Sequence, residues 1–232
     1  ATTGAALTSS NYALTGFIGS ESASVTETVG TYDSANAGAR TVTALLDAGD
    51  FTAGGGTLLS NYVLPTTASG AGQIDQATLI AAIIGNPAKV YDATTGATLT
   101  STNYSLTGFI GAEGATVTET IGTYDSANAG SRAVTAALDS GDFTATGSTL
   151  LSNYVLPTTA SGAGQIDQKA LTAAIIGDPT KTYDATTVAA LNSANYSLAG
   201  FVGAEGATVT ETVGAYDSAN AGARTVTALL DA

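Results

Sequence analysis

The amino-acid sequence predicts an all-β protein: small β-sandwich domains of immunoglobulin-like size, joined in tandem in an elongated array. Three observations support this prediction. The 232-residue chain repeats itself at a fixed period. Its apolar and polar residues alternate with the period of a β-strand. Segments rich in Thr, Val, Ile and Tyr, which favour strands, are separated by Gly, Asn, Asp and Ser clusters, which favour turns.

The period is visible from three tyrosines. Tyr12, Tyr104 and Tyr196 each occupy the same place in an NY(A/S)L(T/A)GF stretch, and each is 92 positions from the next. A fixed period of this kind indicates a repeat architecture with one structural unit per copy. The predicted domains are a partial first repeat, a complete second repeat and a truncated third repeat, at residues 1–74, 75–166 and 167–232.

The segments within one repeat are predicted to be strands. In ATVTETIG, residues 115–122, Val117, Glu119 and Ile121 are expected on one face because side chains alternate along a strand. Roughly seven short strands in about 90 residues indicate a two-layer sandwich. Three further segments follow the same pattern: NYSLTGFI at 103–110, RAVTAAL at 132–138 and TLLSNYVL at 149–156.

One segment is compatible with either a helix or a strand. IDQKALTAAII, residues 166–176, holds helix-forming Ala, Leu, Gln and Lys. Its Thr and Ile residues, and the Gly-Asp-Pro turn that follows, favour a strand or a pair of strands. The alternative to the sandwich is therefore a β-grasp-like unit with one short helix.

The composition excludes several classes of function. Six basic and nineteen acidic residues give a net charge of -13, which disfavours nucleic acid and anionic membrane surfaces as partners. Cys, Met, His and Trp are absent, so the chain lacks thiol nucleophiles, disulfides, imidazole bases and nearly every transition-metal site. No apolar run approaches the roughly 20 residues that span a bilayer. We expect no membrane insertion and no enzyme activity.

A YDSANAG(A/S)R stretch occurs once in each repeat. Around the second copy, Glu119, Asp125 and Arg132 lie close enough in sequence to suggest the carboxylate pair of a glycosidase with an arginine clamp. Because an enzyme needs one such site and the chain has three copies, a structural ion pair is the favoured interpretation. The predicted pairs are Asp33 with Arg40, Asp125 with Arg132 and Asp217 with Arg224.

Two ligand hypotheses remain. Tyr91, Tyr124 and Tyr183 each precede an aspartate, and a tyrosine ring with a polar tip serves sugar-binding surfaces and core edges alike. Calcium is the one cofactor that the composition leaves open. No EF-hand-like run is present, so the hypothesis is a junction site formed by Glu113, Asp139 and Asp142, with solvated carboxylates as the alternative.

KVYDATT at 89–95 and KTYDATT at 181–187, followed by NAGSRAVTAAL and LSNYVLPTTASGAGQIDQKALT, resemble the YDG-type repeats of very large secreted bacterial adhesins. Many of those adhesins are similar to filamentous haemagglutinin, which is exported by two-partner secretion. The resemblance covers the whole chain. It departs from the family at Ala93 and Ala185, which stand where the family has glycine. If that glycine has a positive φ angle, we expect a different turn here, because Ala carries a steric cost there.

The resemblance implies a stalk or spacer of tandem repeats on the bacterial surface, projecting a distal binding region. The partners implied are neighbouring repeats of the same chain and an extracellular ligand or glycan. The alternative is a carbohydrate- or matrix-binding module whose weak sites gain strength by multivalency. A further hypothesis is self-association, in which another chain supplies a strand that one unit lacks.

Overall fold

The computed structural model describes residues 2–231, and these residues form β-strands and short 3₁₀ helices without an α-helix. Residues 1 and 232, which end the predicted first and third repeats, lie outside the described residues. None of the described helices has the length and apolar character needed to cross a membrane. The all-β prediction is therefore confirmed, and the fold belongs to the β-sandwich-like class.

The strands follow the three repeats in chain order. The first repeat holds β1 Gly4–Ala6, β2 Ser22–Val25, β3 Val29–Tyr32, β4 Gly38–Leu45, β5 Phe51–Gly54 and β6 Thr67–Ile74. The second holds β7 Ala77–Thr78, β8 Ile80–Ile83, β9 Ala88–Val90, β10 Gly96–Thr98, β11 Tyr104–Thr107, β12 Gly114–Val117, β13 Ile121–Tyr124, β14 Gly130–Ala137, β15 Phe143–Thr146, β16 Tyr154–Val155 and β17 Thr159–Asp167. The third holds β18 Thr172–Ile175, β19 Val188–Ala190, β20 Tyr196–Ala199, β21 Val213–Tyr216 and β22 Val226–Thr227.

Single 3₁₀ turns recur at matching places in the repeats. In some of these turns an aspartate is the N-cap residue. The Asp139 carboxylate, for example, accepts a hydrogen bond from Gly141 N at 2.7 Å. The turns lie at Ser9–Asn11, Ala48–Asp50, Leu59–Asn61, Ser101–Asn103, Ser140–Asp142, Leu151–Asn153 and Ser193–Asn195.

The chain divides into two compact units, each drawn from separate stretches of sequence. The first unit contains the chain up to Ile84, with Leu99–Thr120 and Thr135–Gly162. The second contains Gly85–Thr98, Ile121–Val134 and the chain from Ala163 onward. The predicted repeats describe copies of the sequence, whereas each compact unit draws on more than one copy.

In the first unit, the first repeat forms two sheets with a core between them. One sheet is antiparallel with the order β1-β3-β4-β6, and β4 pairs with β6 along eight residues. The other is the antiparallel pair of β2 with β5. Side chains from both sheets form the core, because Val25 and Phe51 cluster with Ala44 and Leu46. A core shared by two sheets is the defining feature of a sandwich.

Still in the first unit, β8 of the second repeat has a neighbour on each side. It pairs antiparallel with β11 and parallel with β17, where Ala81 lies opposite Ala160. Gly162 of β17 allows this approach, since a Cβ on it would lie 2.0 Å from Ile83 O. A strand near the start of the repeat and the strand at its end therefore lie side by side. The unit also contains parallel β7 with β16 and antiparallel β12 with β15.

The second unit contains five further pairings. β9 pairs parallel with the end of β17, and β10 pairs antiparallel with β13. In the third repeat, β18 pairs antiparallel with β20, and β19, β21 and β22 form a small antiparallel sheet.

Three expectations about local structure need correction. The segment 166–176 contains the end of β17 and the strand β18, so the helix of the β-grasp alternative does not form. TLLSNYVL forms a strand only at Tyr154–Val155, because a 3₁₀ turn at Leu151–Asn153 precedes it and Asn153 N donates to Leu150 O. ATVTETIG is two strands rather than one. The first repeat shows why: the Glu27 carboxylate accepts bonds from Thr28 N and Val29 N, which interrupts the ladder there.

The turn at the alanine that replaces the family glycine also needs correction. Ala93 has φ 62° and Ala185 has φ 61°, so both remain in the left-handed region and the turn is kept. An L-residue held in that region costs about 1–2 kcal/mol. The chain therefore carries this strain rather than avoiding it by a different turn.

We predict that Ala93→Gly and Ala185→Gly each raise the free energy of unfolding by about 1 kcal/mol, because glycine removes the steric cost of a positive φ. Chemical denaturation measures the change. The control is Ala88→Gly, an exposed strand position outside the left-handed region, which should lower stability instead. Equal losses at Ala93 and Ala88 would contradict the prediction.

Candidate functional site

The arginine of each repeat holds a loop by its backbone carbonyl groups. In the second repeat, Arg132 Nε donates to Asn128 O at 2.7 Å and Nη2 donates to Ala129 O at 3.0 Å. Arg40 and Arg224 make the same two contacts in the other repeats. A guanidinium has five donors in a rigid planar fork, so one side chain reaches two neighbouring carbonyl groups.

This geometry corrects the predicted ion pairs. Within residues 2–231, the ion pairs shorter than 4.0 Å are those of Lys89 with Asp92 and Lys181 with Asp184. The arginines bond to carbonyl groups instead, because the loop before each of them turns those groups toward the guanidinium. The pairs that the structure does not form are Asp33 with Arg40, Asp125 with Arg132 and Asp217 with Arg224.

The loop held by Arg40 is also where the second repeat contacts the first, within the first compact unit. Asn153 Oδ1 accepts a bond from Ala37 N at 2.9 Å, and Asn153 Nδ2 donates to Asn36 Oδ1 at 3.2 Å. Arg40 donates to the carbonyl oxygens of the same two residues. The amide of Asn153 therefore joins two repeats through a loop that is also hydrogen-bonded to an arginine. We call this set the junction site: Asn36, Ala37, Arg40 and Asn153.

Asn153 was not among the residues predicted from the sequence. The signal was available, because the LSNY stretch occurs at 59–62 and at 151–154 and keeps its amide each time. An asparagine in a short 3₁₀ turn is easily explained by the turn itself. Its second use, across to another repeat, depends on tertiary contacts that the local pattern does not contain.

Each YDATT stretch forms a closed polar network around one lysine. Lys89 Nζ donates to Asp92 Oδ1 at 2.7 Å and to both oxygens of Thr94 at 2.8 Å. The ammonium lies 5.6 Å from the centre of the Tyr124 ring, within cation–π range. Lys181, Asp184 and Thr186 repeat the network beneath Tyr216. Hydrogen bonds from Lys89 and Thr94 lower the pKa of Asp92 to about 2.

The three tyrosines proposed as ligand-binding residues have different environments. Tyr124 is 2% exposed and its hydroxyl donates to Pro87 O at 2.9 Å, so its ring is a core residue and cannot stack on a sugar. This corrects the prediction for that residue. The Tyr91 hydroxyl donates to the carboxylate of Glu205. Tyr183 is 62% exposed.

Tyr91 also lines a cleft of about 480 Å³ in the second compact unit. The cleft is partly apolar, with Leu171 and Phe201 in its wall, and Lys169 and Glu205 place opposite charges at it. Its chemistry would suit a polar ligand that has one apolar face.

The acidic residues proposed for calcium are used in separate local contacts. Glu113 accepts a bond from the Tyr154 hydroxyl, which also accepts from Ile110 N at 3.1 Å. Asp139 caps a 3₁₀ turn, and Asp142 Oδ2 accepts from Asp139 N at 2.7 Å. No group of three or more His, Cys, Asp or Glu side chains that could hold a metal is found among the described residues. Among the described residues, Glu113, Asp139 and Asp142 are therefore not brought together into one metal-ligand cluster.

We predict that Arg132→Ala lowers the free energy of unfolding by about 1 kcal/mol, because two charge-assisted bonds to loop carbonyls are lost. Asp125→Asn should leave stability within about 0.5 kcal/mol of the parent chain. Urea denaturation compares the two variants. Equal losses for both would restore the ion-pair interpretation.

We predict that Asn153→Ala loosens the contact between the first and second repeats while each repeat stays folded. Two partly buried hydrogen bonds worth about 1 kcal/mol each would be removed. Spin labels placed on the first repeat and on the second should give a broader distance distribution by pulsed electron resonance. The control is Asn61→Ala at the matching position of the first repeat, which should leave the distribution unchanged.

We predict an acid-sensitive contribution to stability from the two lysine networks. The folded-state pKa of Asp92 and Asp184 is lowered from 3.8 to about 2, so the stabilisation is present above about pH 4 and is lost as pH falls through about 2. The double variant Asp92→Asn, Asp184→Asn should show a smaller loss of stability over this pH range. Denaturation curves at stepped pH measure it, and an unchanged slope would contradict the assignment.

Comparison with known proteins agrees with the repeat pattern. The YDG domain model matches residues 75–161 and 167–231, which together make up more than half of the chain. No curated protein and no solved structure matches this chain. The two matched segments include both lysine networks, two of the arginine-held loops and the left-handed alanines. The chain therefore belongs to the YDG domain family.

Proposed function

We propose that this chain is a structural stalk or spacer segment of a secreted bacterial adhesin, in which tandem repeats carry a distal binding region away from the cell surface. Its role in this proposal is mechanical and involves no catalytic step. The partners are neighbouring repeats of the same chain and, at the far end of the adhesin, an extracellular ligand.

One observation carries the proposal: two strands near the start of the complete repeat pair in parallel with the strand at its end. β8 lies beside β17 in the first unit, and β9 lies beside the end of β17 in the second. If the repeat is pulled by its ends, parallel terminal strands are drawn along their axes in opposite directions. All the hydrogen bonds between them are then loaded together instead of breaking one after another. Such an arrangement suits a domain that works under tension.

The use of the repeated polar residues supports the same function. The lysine networks, the arginine-held loops and the Tyr154–Glu113 bond join residues within one repeat. The junction site joins one repeat to the next. These motifs recur because each copy has to build and connect itself, which is the property a spacer requires.

We predict that stretching the chain by atomic-force spectroscopy gives a distinct force peak for the complete repeat, followed by an extension of about 300 Å, the reach of 92 residues in an extended chain. Gly162→Ala should lower that peak, because the new Cβ would collide with Ile83 O and push β8 from β17. The overpacking should also cost about 1–3 kcal/mol of stability. The control is Gly70→Ala, where a Cβ meets no atom within 4 Å. Extension without a force peak would overturn the proposal.

A carbohydrate- or matrix-binding module is the second candidate, and the observations that favour it are the cleft beside Tyr91 and the exposed ring of Tyr183. Each such site would be weak alone and would gain strength by multivalency. A glycan-array screen of the chain tests it, with Tyr183→Ala and Tyr91→Phe as variants. Reproducible binding that both variants weaken would favour the module over the spacer.

A further inference from the structure

The three tyrosines that mark the repeat period share an unusual environment. The hydroxyl oxygens of Tyr12, Tyr104 and Tyr196 are enclosed by the protein, and none of residues 2–231 gives them a hydrogen-bond partner. Tyr104, in the complete repeat, is only 8% exposed as a whole residue. Buried polar groups in native proteins nearly always have a partner, because burying one without it is costly. A hydroxyl that recurs in this state needs a physical explanation.

Other tyrosines of the chain show the ordinary arrangement. Tyr183 is exposed, so its hydroxyl can reach solvent. The other hydroxyls that donate do so to a backbone carbonyl oxygen or to a glutamate carboxylate, and they belong to Tyr32, Tyr62, Tyr91, Tyr124, Tyr154 and Tyr216. The unpartnered hydroxyl is therefore a property of one position in the repeat.

The first repeat shows where this hydroxyl lies. The Tyr12 ring packs against the core cluster that contains Val25 and Phe51, which lie opposite each other in β2 and β5. Just beyond this pair β2 ends and β5 begins, and Thr26 N and Oγ1 donate to Asp50 O at 2.8 and 3.0 Å. The tyrosine therefore lies at the end of the core, beside the point where the two strands of the smaller sheet meet a turn.

The second repeat has the same arrangement around Tyr104, the first residue of β11. Thr118 N and Oγ1 donate to Asp142 O at 2.8 and 3.1 Å, as their counterparts do in the first repeat. Burial, together with the negative charges of Glu119 and Asp142, raises the pKa of Tyr104 to about 12. Two carboxylates therefore lie near the hydroxyl, where the chain leaves β12 towards β13.

The groups around the hydroxyl determine which ligand can join them. Tyrosine can donate one hydrogen bond, whereas an ionised carboxylate only accepts and has about four acceptor positions. These acids can therefore keep their backbone contacts, such as that of Asp142 Oδ2 with Asp139 N at 2.7 Å, and accept a further donor. A water molecule both accepts and donates, and a buried water typically makes about three hydrogen bonds to groups of this kind.

A metal ion fits this position less well. No group of three or more His, Cys, Asp or Glu side chains that could hold a metal occurs in the part of the chain that the structure describes. A neutral phenol hydroxyl with two carboxylates already engaged by backbone groups suits a small neutral ligand better.

We propose that the conserved tyrosine position of each repeat binds an internal water molecule, which accepts a hydrogen bond from the tyrosine hydroxyl and donates to nearby carboxylates. We call this the tyrosine water site. In the second repeat it consists of Tyr104, Glu119 and Asp142. The counterparts are Tyr12, Glu27 and Asp50 in the first repeat, and Tyr196 and Glu211 in the third.

The tyrosine water site links three segments of the complete repeat, all within the first compact unit. They are β11, the stretch 118–120 that follows β12, and the 3₁₀ turn Ser140–Asp142. A bridging water is nearly as favourable as a direct hydrogen bond. The water therefore closes the end of a small core with a polar contact that the side chains do not make directly.

The first test measures long-lived internal water. Oxygen-17 magnetic relaxation dispersion of the full chain should give a signal that falls by about one long-lived water per chain in Tyr104→Phe. The triple variant Tyr12→Phe, Tyr104→Phe, Tyr196→Phe should lose about three. The control is Tyr124→Phe, a buried tyrosine whose hydroxyl already donates to Pro87 O, and it should leave the signal unchanged. An unchanged signal in the triple variant would overturn the proposal.

The second test is stability. Tyr104→Phe should lower the midpoint of urea denaturation, because the bound water loses the hydrogen bond that the hydroxyl donates to it. A hydroxyl with no partner at all predicts the opposite, since its removal relieves an unsatisfied polar group. Circular dichroism checks that the variant keeps the native spectrum. A midpoint that stays the same or rises in the folded variant contradicts the water site.

A crystal structure of the full chain identifies the ligand. An ordered water should lie within about 3 Å of Tyr104 Oη in the parent chain, and it should be absent from Tyr104→Phe. Three findings would each refute the proposal: a Tyr104 hydroxyl that donates directly to Glu119, no density beside the hydroxyl, or a peak that disappears when the crystals are treated with a chelator. The last result would identify a metal ion in place of water.

Discussion

The parallel contact between β8, near the start of the complete repeat, and β17, at its end, is the constraint on which the rest of the structure depends. Where β8 and β9 lie beside β17, Ala160 and Ile166 of β17 are buried. A small sandwich has little apolar area in reserve, so one strand decides whether its core closes.

Much of the fold could be predicted from the sequence, because the patterns that indicate strands and repeats are local in sequence. Alternation of apolar and polar residues marks strands such as β14, and a fixed period marks repeats. The errors fall where a side chain replaces a neighbouring strand as the hydrogen-bond partner of the backbone. Glu27 does so between β2 and β3. An alternating pattern continues through such a break, so periodicity alone cannot reveal it.

The polar residues were harder to assign for a related reason. The sequence places Asp125 seven positions before Arg132, and opposite charges at that distance suggest a pair. The loop between Asp125 and Arg132 places two backbone carbonyl groups within hydrogen-bond distance of the guanidinium. Composition shows which groups are present, but the path of the backbone decides which acceptor a donor meets. The same limit applies to Asn153, whose partners belong to another copy of the repeat.

The pairing of β8 with β17 also bears on how such a chain can vary in length. Both strands come from the same 92-residue copy, so a gain or loss of one whole copy, wherever the crossover falls, leaves every remaining copy with its own matching pair. Unequal recombination between near-identical copies could then lengthen or shorten the array without any compensating substitution. Recombination can therefore change the length of the array without changing the stability of each repeat.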